Sequence, residues 1–398
     1  MGGCRRERGR VADPVLVSGG AGFIGSRLVR RLLDAGHEVT VLDALVPSVH
    51  GEDASPPPEV EGARFVRGDV RDAAAWREAL EGASRVYHLA AETGTGESMY
   101  RSRHYVDVNV GGTALLCDLL LAGAAPGVGR VVLASSRAVY GEGPYRCAEH
   151  GVVVPEPRAA RRLAAGLWEP VCPRCGAEVV VEPASGAVAP SPTSVYGVTK
   201  RDQEELLHLL LPPRGVDVVS LRLQNVYGPG QSLRNPYTGI LSIFSVRLLA
   251  GQGVRVFEDG RESRDFVFVD DAVEAFLRAG DARVPAEGAV VDVGSGRAAT
   301  VLDAALALAE RYGAPRDAVV VTGEYRLGDV RHAVADPSAA RHLLGLSDTV
   351  PFDDGLDALA DWVRGSSRPP SALDAALDEM AASGLLGRAA GRREDGAS

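Results

Sequence analysis

The stretch Pro14-Val-Leu-Val-Ser-Gly-Gly-Ala-Gly-Phe-Ile-Gly25 joins a short apolar run to a glycine cluster, and an amphipathic pattern continues from it to Ala35. That order reads as a buried strand, a tight turn and a helix. Gly19 permits the turn, Gly22 lets backbone approach a pyrophosphate, and Gly25 allows close helix packing, with Phe23 and Ile24 opening the helix beside them. The phosphates then rest on the positive helix N-terminus. Taken alone, the glycines fit a plain strand-to-helix turn equally well. A second apolar run, Glu38-Val-Thr-Val-Leu42, ends in Asp43, 18 residues after Gly25. A carboxylate there accepts both adenosine ribose hydroxyls and repels a 2′-phosphate. The combination predicts a dinucleotide site that takes NAD rather than NADP.

Beyond the Pro-rich loop Pro47 to Pro58, the apolar runs Arg64 to Val70 and Arg85 to Ala91 flank a helix near Ala73 to Leu80. They are the third and fourth strands of a Rossmann-type α/β fold, a doubly wound parallel sheet. Asp69 and Val70, just past a strand end, are placed to touch adenine, although a solvated aspartate fits as well. Leu89 and the small Ala90 and Ala91 suggest backbone passing close to a cofactor, whereas His88 reads as a core histidine. From Glu97 to Ala122 the pattern is largely helical. Asn109 within it costs helix propensity, so it is expected to bond neighbouring backbone near the cofactor.

The next strand, Arg130 to Ser135, delivers Ser136 to the crevice where parallel sheets bind ligands. In Val195-Tyr-Gly-Val-Thr-Lys200, Tyr196 and Lys200 stand four apart, on one face of the helix that follows. Free tyrosine titrates near pH ~10, and an ammonium beside it makes the phenolate a usable base. Ser136, Tyr196 and Lys200 are therefore the candidate catalytic residues, and Tyr196 and Lys200 also border the cofactor.

With 398 residues and a formal charge of -10, the chain has no basic surface for nucleic acid or anionic membrane. No run approaches the ~20 apolar residues of a membrane helix, and Met1 to Asp13 lacks a signal-peptide core. A soluble cytoplasmic protein is expected. Five cysteines are too few and too scattered for a disulfide framework.

Ser-Gly-Gly-Ala-Gly-Phe-Ile-Gly, Asp43, His-Leu-Ala-Ala, Ser-Ser-Arg-Ala-Val-Tyr-Gly, Tyr-Gly-Val-Thr-Lys, Arg-Leu-Gln-Asn-Val-Tyr-Gly-Pro and Arg-Asp-Phe-Val-Phe-Val-Asp-Asp together resemble the extended short-chain dehydrogenase/reductases of the nucleotide-sugar epimerase/dehydratase kind. The match runs from about Val15 to Trp362, with Ser18 where threonine is more frequent and Gln224 in place of an aromatic residue. The resemblance implies a cofactor domain over 14–224, and a smaller C-terminal α/β substrate domain over 225–364 from which 266–294 returns to the first. Residues 1–13 and 365–398 are expected to be flexible termini, with one helix near Ala372 to Leu385. It also implies a nucleoside-diphosphate sugar as substrate, its diphosphate on Asn225, Arg264 and Arg326 and its base near Val256 and Phe257. A homodimer paired through the helices near Glu97 to Ala122 and Tyr196 to Leu211 belongs to the same implication.

Tyr196 follows Ser136 by 60 positions, about twice what this family usually has. The insert, 144–190, contains Cys147-x2-His150 and Cys172-x2-Cys175 with 21 residues between the pairs. Two chelating pairs can close on one tetrahedral ion, zinc first, in a structural knuckle whose turns Pro173 and Gly176 supply. The alternatives are a reduced, metal-free loop and a redox Cys-x-x-Cys, which would normally start a helix. Tyr140 to Cys147, Leu167 to Gly176 and Asn235 to Gly239 resemble the branch of the family that epimerises dTDP-L-rhamnose. The resemblance therefore implies 4-epimerisation of a dTDP-6-deoxyhexose through a 4-keto sugar. Its 4,6-dehydratases carry an Asp-Glu pair after the active-site Ser or Thr, where this chain has Arg137 and Ala138. That disfavours the dehydratase and decarboxylase alternatives, and a non-catalytic NAD-binding regulator is the remaining one.

Overall fold

The computed structural model describes residues 13–51, 54–235, 237, 239–347, 349–366 and 373–390. Seven parallel strands form the central sheet, in the order Ala289–Val293, Asp217–Leu223, Arg130–Ser136, Arg85–His88, Pro14–Ser18, Glu38–Asp43 and Arg64–Arg67. The first strand in the chain therefore lies between the second and the fourth, and the switch of direction opens a crevice at their carboxyl ends. Strands buried on both faces read as continuous apolar runs. Val15 and Val17 point to one face and Leu16 to the other, all of them buried. Helices Phe23–Asp34 and Val269–Asp281 cover the first face, while Ala73–Ala79, Gly112–Leu121 and Val195–Leu210 cover the second.

The helical region before Ala122 is interrupted rather than continuous. Thr95–Ser98 and Ser102–Tyr105 lead into a π-helical turn, Val106–Gly111, and then into Gly112–Leu121. The wider turn carries Asn109 inward, and such bulges recur beside functional sites.

The second half is built on Ser263–Phe268, which pairs with Asn225–Tyr227, Ala298–Thr300 and His332–Ala333. Helix Val269–Asp281 and strand Ala289–Val293 run back onto the first half. The insert folds as a small antiparallel sheet of Tyr145–Cys147, Gly151–Val153 and Val180–Val181. The tails expected at 1–13 and 365–398 lie partly outside the described residues. Within 373–390 the chain is built into the fold: helix Leu373–Ala382 buries Ala376, Leu377 and Met380, and Leu386–Arg388 pairs with Glu324–Arg326. Its apolar face, not its Gly- and Pro-rich flanks, decides the outcome. Among the described residues no helix is long and apolar enough to cross a membrane.

Candidate active site

The glycine loop is fixed by close approaches that exclude any side chain. Gly19 has φ +73°, and a Cβ there would sit 2.6 Å from the Ala90 nitrogen; a Cβ on Gly25 would sit 2.1 Å from the Gly19 carbonyl oxygen. Helix Phe23–Asp34 starts at Gly22 without a capping side chain, so its first N–H groups face the crevice as an anion seat. Asp43 borders this seat, its two carboxylate oxygens accepting from Ala21 N at 2.9 Å and Leu45 N at 2.8 Å. Each oxygen keeps a lone pair for a ribose hydroxyl. A bare helix end, a loop with no room for Cβ atoms and an acidic strand end together fit the NAD predicted from the sequence.

Three other residues assigned to the cofactor, Asp69, Val70 and Asn109, have protein partners of their own. Asp69 is gripped by Arg71, with bonds of 2.7 to 2.9 Å, and the guanidinium holds its carboxyl below the usual range. The Val70 carbonyl accepts from Trp76 Nε1 at 2.7 Å, leaving the Asp69–Val70 turn as a wall. Asn109 bonds the Glu92 main chain at 2.8 and 3.1 Å and Thr199 Oγ1 at 3.0 Å, so it positions the helix of Tyr196. Leu89, Ala90 and Ala91 are half-buried along the crevice. His88 is a core residue, as read from the sequence. It bonds Ser18 and Thr113, and burial presses its pKa down to about 3.

Ser136 ends its strand at the crevice, and the turn Arg137–Tyr140 follows it. Ser194 caps the helix Val195–Leu210 through Gly197 N at 3.1 Å. A Cβ on Gly197 would lie 2.4 Å from the Ala138 carbonyl oxygen, and this contact is what brings Tyr196 to Ser136. Burial pushes the Tyr196 phenol up, opposed by a hydrogen bond from Ser136 and by the Arg137 charge. Lys200 shares the helix face but is directed to the sheet. Its Nζ donates to the Ala134 carbonyl at 2.8 Å and lies 6.0 Å from the Tyr196 ring centroid. Burial presses Lys200 down to about 7 against the pull of Glu204. The sequence made Lys200 the charge beside the phenol; in the structure a strand carbonyl holds that ammonium, and the charge that lowers the Tyr196 pKa is that of Arg137.

Below these groups runs a buried chain that the sequence did not disclose. Ser135 bonds Glu204, Glu204 pairs with Arg222 at 2.7 Å, and Arg222 donates to Tyr140, which bonds Asp292.

Three arginines converge around Asp329. Arg137 Nε donates to Asn225 Oδ1 at 2.7 Å. Arg264 and Arg326 hold the two oxygens of Asp329 at 3.1 and 2.7 Å. Burial works against the Asp329 charge, but Arg326, Arg264, Arg158 and Arg137 keep its carboxyl well below the usual range. Burial and the Arg264 charge lower Arg137 to about 10. Arg326 lies 5.4 Å above the Phe257 ring. The Val256 side chain is in the core and its carbonyl accepts from Thr322 N at 2.9 Å, and Phe257 is the ring of that pair near the arginines.

In the insert the ligand atoms of Cys147, His150, Cys172 and Cys175 all lie within 4.8 Å of one another. Cys147 Sγ is 3.6 Å from His150 Nδ1 and 3.7 Å from Cys175 Sγ, and Cys172 Sγ is 3.6 Å from the same imidazole nitrogen.

Comparison with known proteins agrees with this geometry. The pattern of the NAD dependent epimerase/dehydratase family matches residues 15–157 and 175–294. A dTDP-L-rhamnose 4-epimerase of Burkholderia thailandensis is 39% identical over 351 residues, covering 88% of this chain and 94% of its own. The structure of a UDP-glucose 4-epimerase from Thermotoga maritima with UDP-glucose superposes with a TM-score of 0.71 at 28% identity, over 88% of this chain and 99% of that one. A Thermus thermophilus UDP-glucose 4-epimerase in complex with NAD gives 0.67 at 28% identity, over 89% and 100%.

Proposed function

Since the chain belongs to the NAD dependent epimerase/dehydratase family, we propose that it is an NAD-dependent nucleotide-sugar 4-epimerase acting on a dTDP-6-deoxyhexose of the L-rhamnose type. NAD bound in the glycine crevice supplies reversible hydride acceptance at the sugar carbon. Tyr196 takes the proton of the C4 hydroxyl and returns it to the same oxygen later. Ser136 hydrogen-bonds that oxygen throughout, and Lys200 supports the cofactor side of the crevice. Asn225, Arg264 and Arg326 hold the diphosphate while the flat 4-keto sugar turns over, so that reduction on its other face inverts C4. The same reading takes Cys147, His150, Cys172 and Cys175 as ligands of a structural zinc ion. It also takes the protein as a homodimer paired through Gly112–Leu121 and Val195–Leu210, where Leu209 is an exposed apolar side chain.

One observation carries the choice of reaction. The two residues after Ser136 are Arg137 and Ala138, neither of which can move a proton for elimination of water or loss of carbon dioxide. Asp329, which faces the same cluster, is held ionised by its arginines and cannot act as a general acid. The test is incubation of the purified protein with NAD and dTDP-L-rhamnose, dTDP-glucose, UDP-glucose or UDP-glucuronate, with products separated and identified by NMR. A product of unchanged mass, inverted at C4 and absent with Tyr196→Phe, is expected from the dTDP-6-deoxyhexose. A product lighter by water or carbon dioxide would refute the reading.

A further inference from the structure

We infer that a zinc ion held by Cys147, His150, Cys172 and Cys175 staples the insert so that it locks the diphosphate-binding arginines in place. Zinc bonds thiolate at ~2.3 Å and imidazole at ~2.0–2.1 Å. Around a tetrahedral ion those lengths put two sulfurs about 3.8 Å apart and a sulfur about 3.6 Å from a nitrogen. The observed 3.7, 3.6 and 3.6 Å match three of its six edges, the four atoms all lie within 4.8 Å of one another, and the sulfurs are far beyond a disulfide's ~2.05 Å. The frame around the four atoms is itself built. Cys172 N and the Cys172 carbonyl close a turn with Ala177 and Gly176 at 2.8 Å each, and Gly151, at φ +67°, turns the chain directly after His150. Four protein donors leave no open position for water, which makes the ion structural.

What the staple holds is the segment between the two chelating pairs. From it Arg158 reaches across to the substrate half. It bonds Glu142 at 3.0 Å, Glu258 at 2.8 Å and the main-chain carbonyl of Asp329 at 2.9 Å. Glu169, three residues before Cys172, pairs with Arg331 at 2.6 Å and bonds His332 at 3.2 Å. Arg331 in turn bonds Glu258 and Asp259 at 3.0 and 2.7 Å. Asp329 is thus held through its backbone by the insert, while its carboxylate sets the positions of Arg264 and Arg326. Arg158 and Arg331 are themselves buried, and loosening one partner of a buried charge network leaves the others uncompensated. Residues 158–174 fall in the gap of the family match, so Arg158, Glu169 and Cys172 are additions to the shared pattern rather than part of it.

The metal half of this inference stands alone, and the coupling half rests on the nucleotide-sugar reading. The test uses the full chain expressed with zinc in the medium. Metal content is measured by mass spectrometry, and binding of dTDP and of UDP to the NAD-loaded protein is measured by calorimetry. The same measurements are made on Cys175→Ser, on Cys172→Ser, and on wild type stripped by a chelator and reloaded with zinc. We expect one zinc per chain, its loss in both variants, a tetrahedral thiolate spectrum on cobalt substitution, and nucleotide affinity about tenfold weaker without metal and recovered on reloading. Chelation and reloading decide the matter should a variant fail to fold. Wild type free of metal with its thiols unmodified would overturn the site, and unchanged nucleotide affinity after zinc removal would overturn the coupling. Zinc-loaded protein that bound neither nucleotide would remove the epimerase reading and the coupling together, while the metal stoichiometry would still decide the site.

Discussion

Replacing Arg137 with methionine isolates the electrostatic part of the site. The guanidinium is fixed by its 2.7 Å bond to Asn225 and its charge lowers the Tyr196 pKa. An opposite charge within about 4–6 Å shifts a titration by roughly 1–3 units, each worth ~1.4 kcal/mol. Asp329 offsets part of the field of the arginines, so the effect on rate falls at the low end of that range, and removal moves the phenol further up. The sign follows from the role. Unprotonated Tyr196 accepts the sugar proton, so kcat climbs with pH through its pKa, and a higher pKa moves that limb to higher pH. At a fixed pH on the limb the variant loses about tenfold in kcat. The assay is a kcat–pH profile at saturating nucleotide sugar, which reports groups in the enzyme–substrate complex. Arg137→Lys keeps the charge and loses the fork, so its limb stays near wild type while KM rises. A methionine variant whose limb superimposes on wild type would refute the reasoning.

Three further outcomes follow from the same geometry. In Gly25→Ala the new Cβ would press on the Gly19 carbonyl at 2.1 Å, so NAD affinity, read by fluorescence titration, falls by about tenfold or more; wild-type affinity would show that this loop is not the cradle. Lys200, with a folded pKa of about 7 against 10.5 in the unfolded chain, makes the unfolded state bind more protons between those values. Stability of cofactor-free protein therefore rises with pH across that window by up to ~1.4 kcal/mol per unit, and denaturant titrations of Lys200→Met should lack the rise; parallel curves would contradict the burial. Arg326→Ala, at a half-buried side chain, should raise KM for the nucleotide sugar about tenfold by loss of a charge-assisted bond with kcat little changed, whereas an unaltered KM would put the diphosphate elsewhere.

The sheet and its crevice were legible because each rests on local chemistry. Val15, Leu16 and Val17 can only be a strand buried on both faces, and Gly19 and Gly25 stand where backbone meets backbone. Partners were not legible, since a residue type announces a capacity without saying who uses it. Asp69 was placed for adenine, and its pairing with Arg71 two residues away is a partner that no strand pattern announces. Lys200 could have met the phenol but is held by a strand carbonyl. Val256 is apolar enough for a base pocket and equally for the core, and burial decides. Gly197, between Tyr196 and the rest of the motif, carries a signal readable in the sequence, since a glycine in the first turn of a helix marks close packing. The contacts of Arg158 with Glu142 and Glu258 join residues 16 and 100 positions apart, and no periodicity reports such pairs.

The acid pair missing after Ser136 is not the whole of what sets the reaction, and Arg137→Asp shows why. An aspartate placed there has the appearance of a step toward a dehydratase. It would enter a space already facing Arg264 and Arg326, the groups that hold Asp329 ionised far below the usual carboxylate range. A general acid must instead have its pKa raised toward the working pH. The new carboxylate would also replace a cation that lowers the Tyr196 pKa with an anion that raises it. The variant should therefore epimerise more slowly, with its acid limb displaced upward by more than in the methionine variant, and release no product lighter by water. Mass spectrometry of the products decides it, and dehydration by Arg137→Asp alone would mean that the chemistry is set by this one position rather than by the charge of the cluster around it.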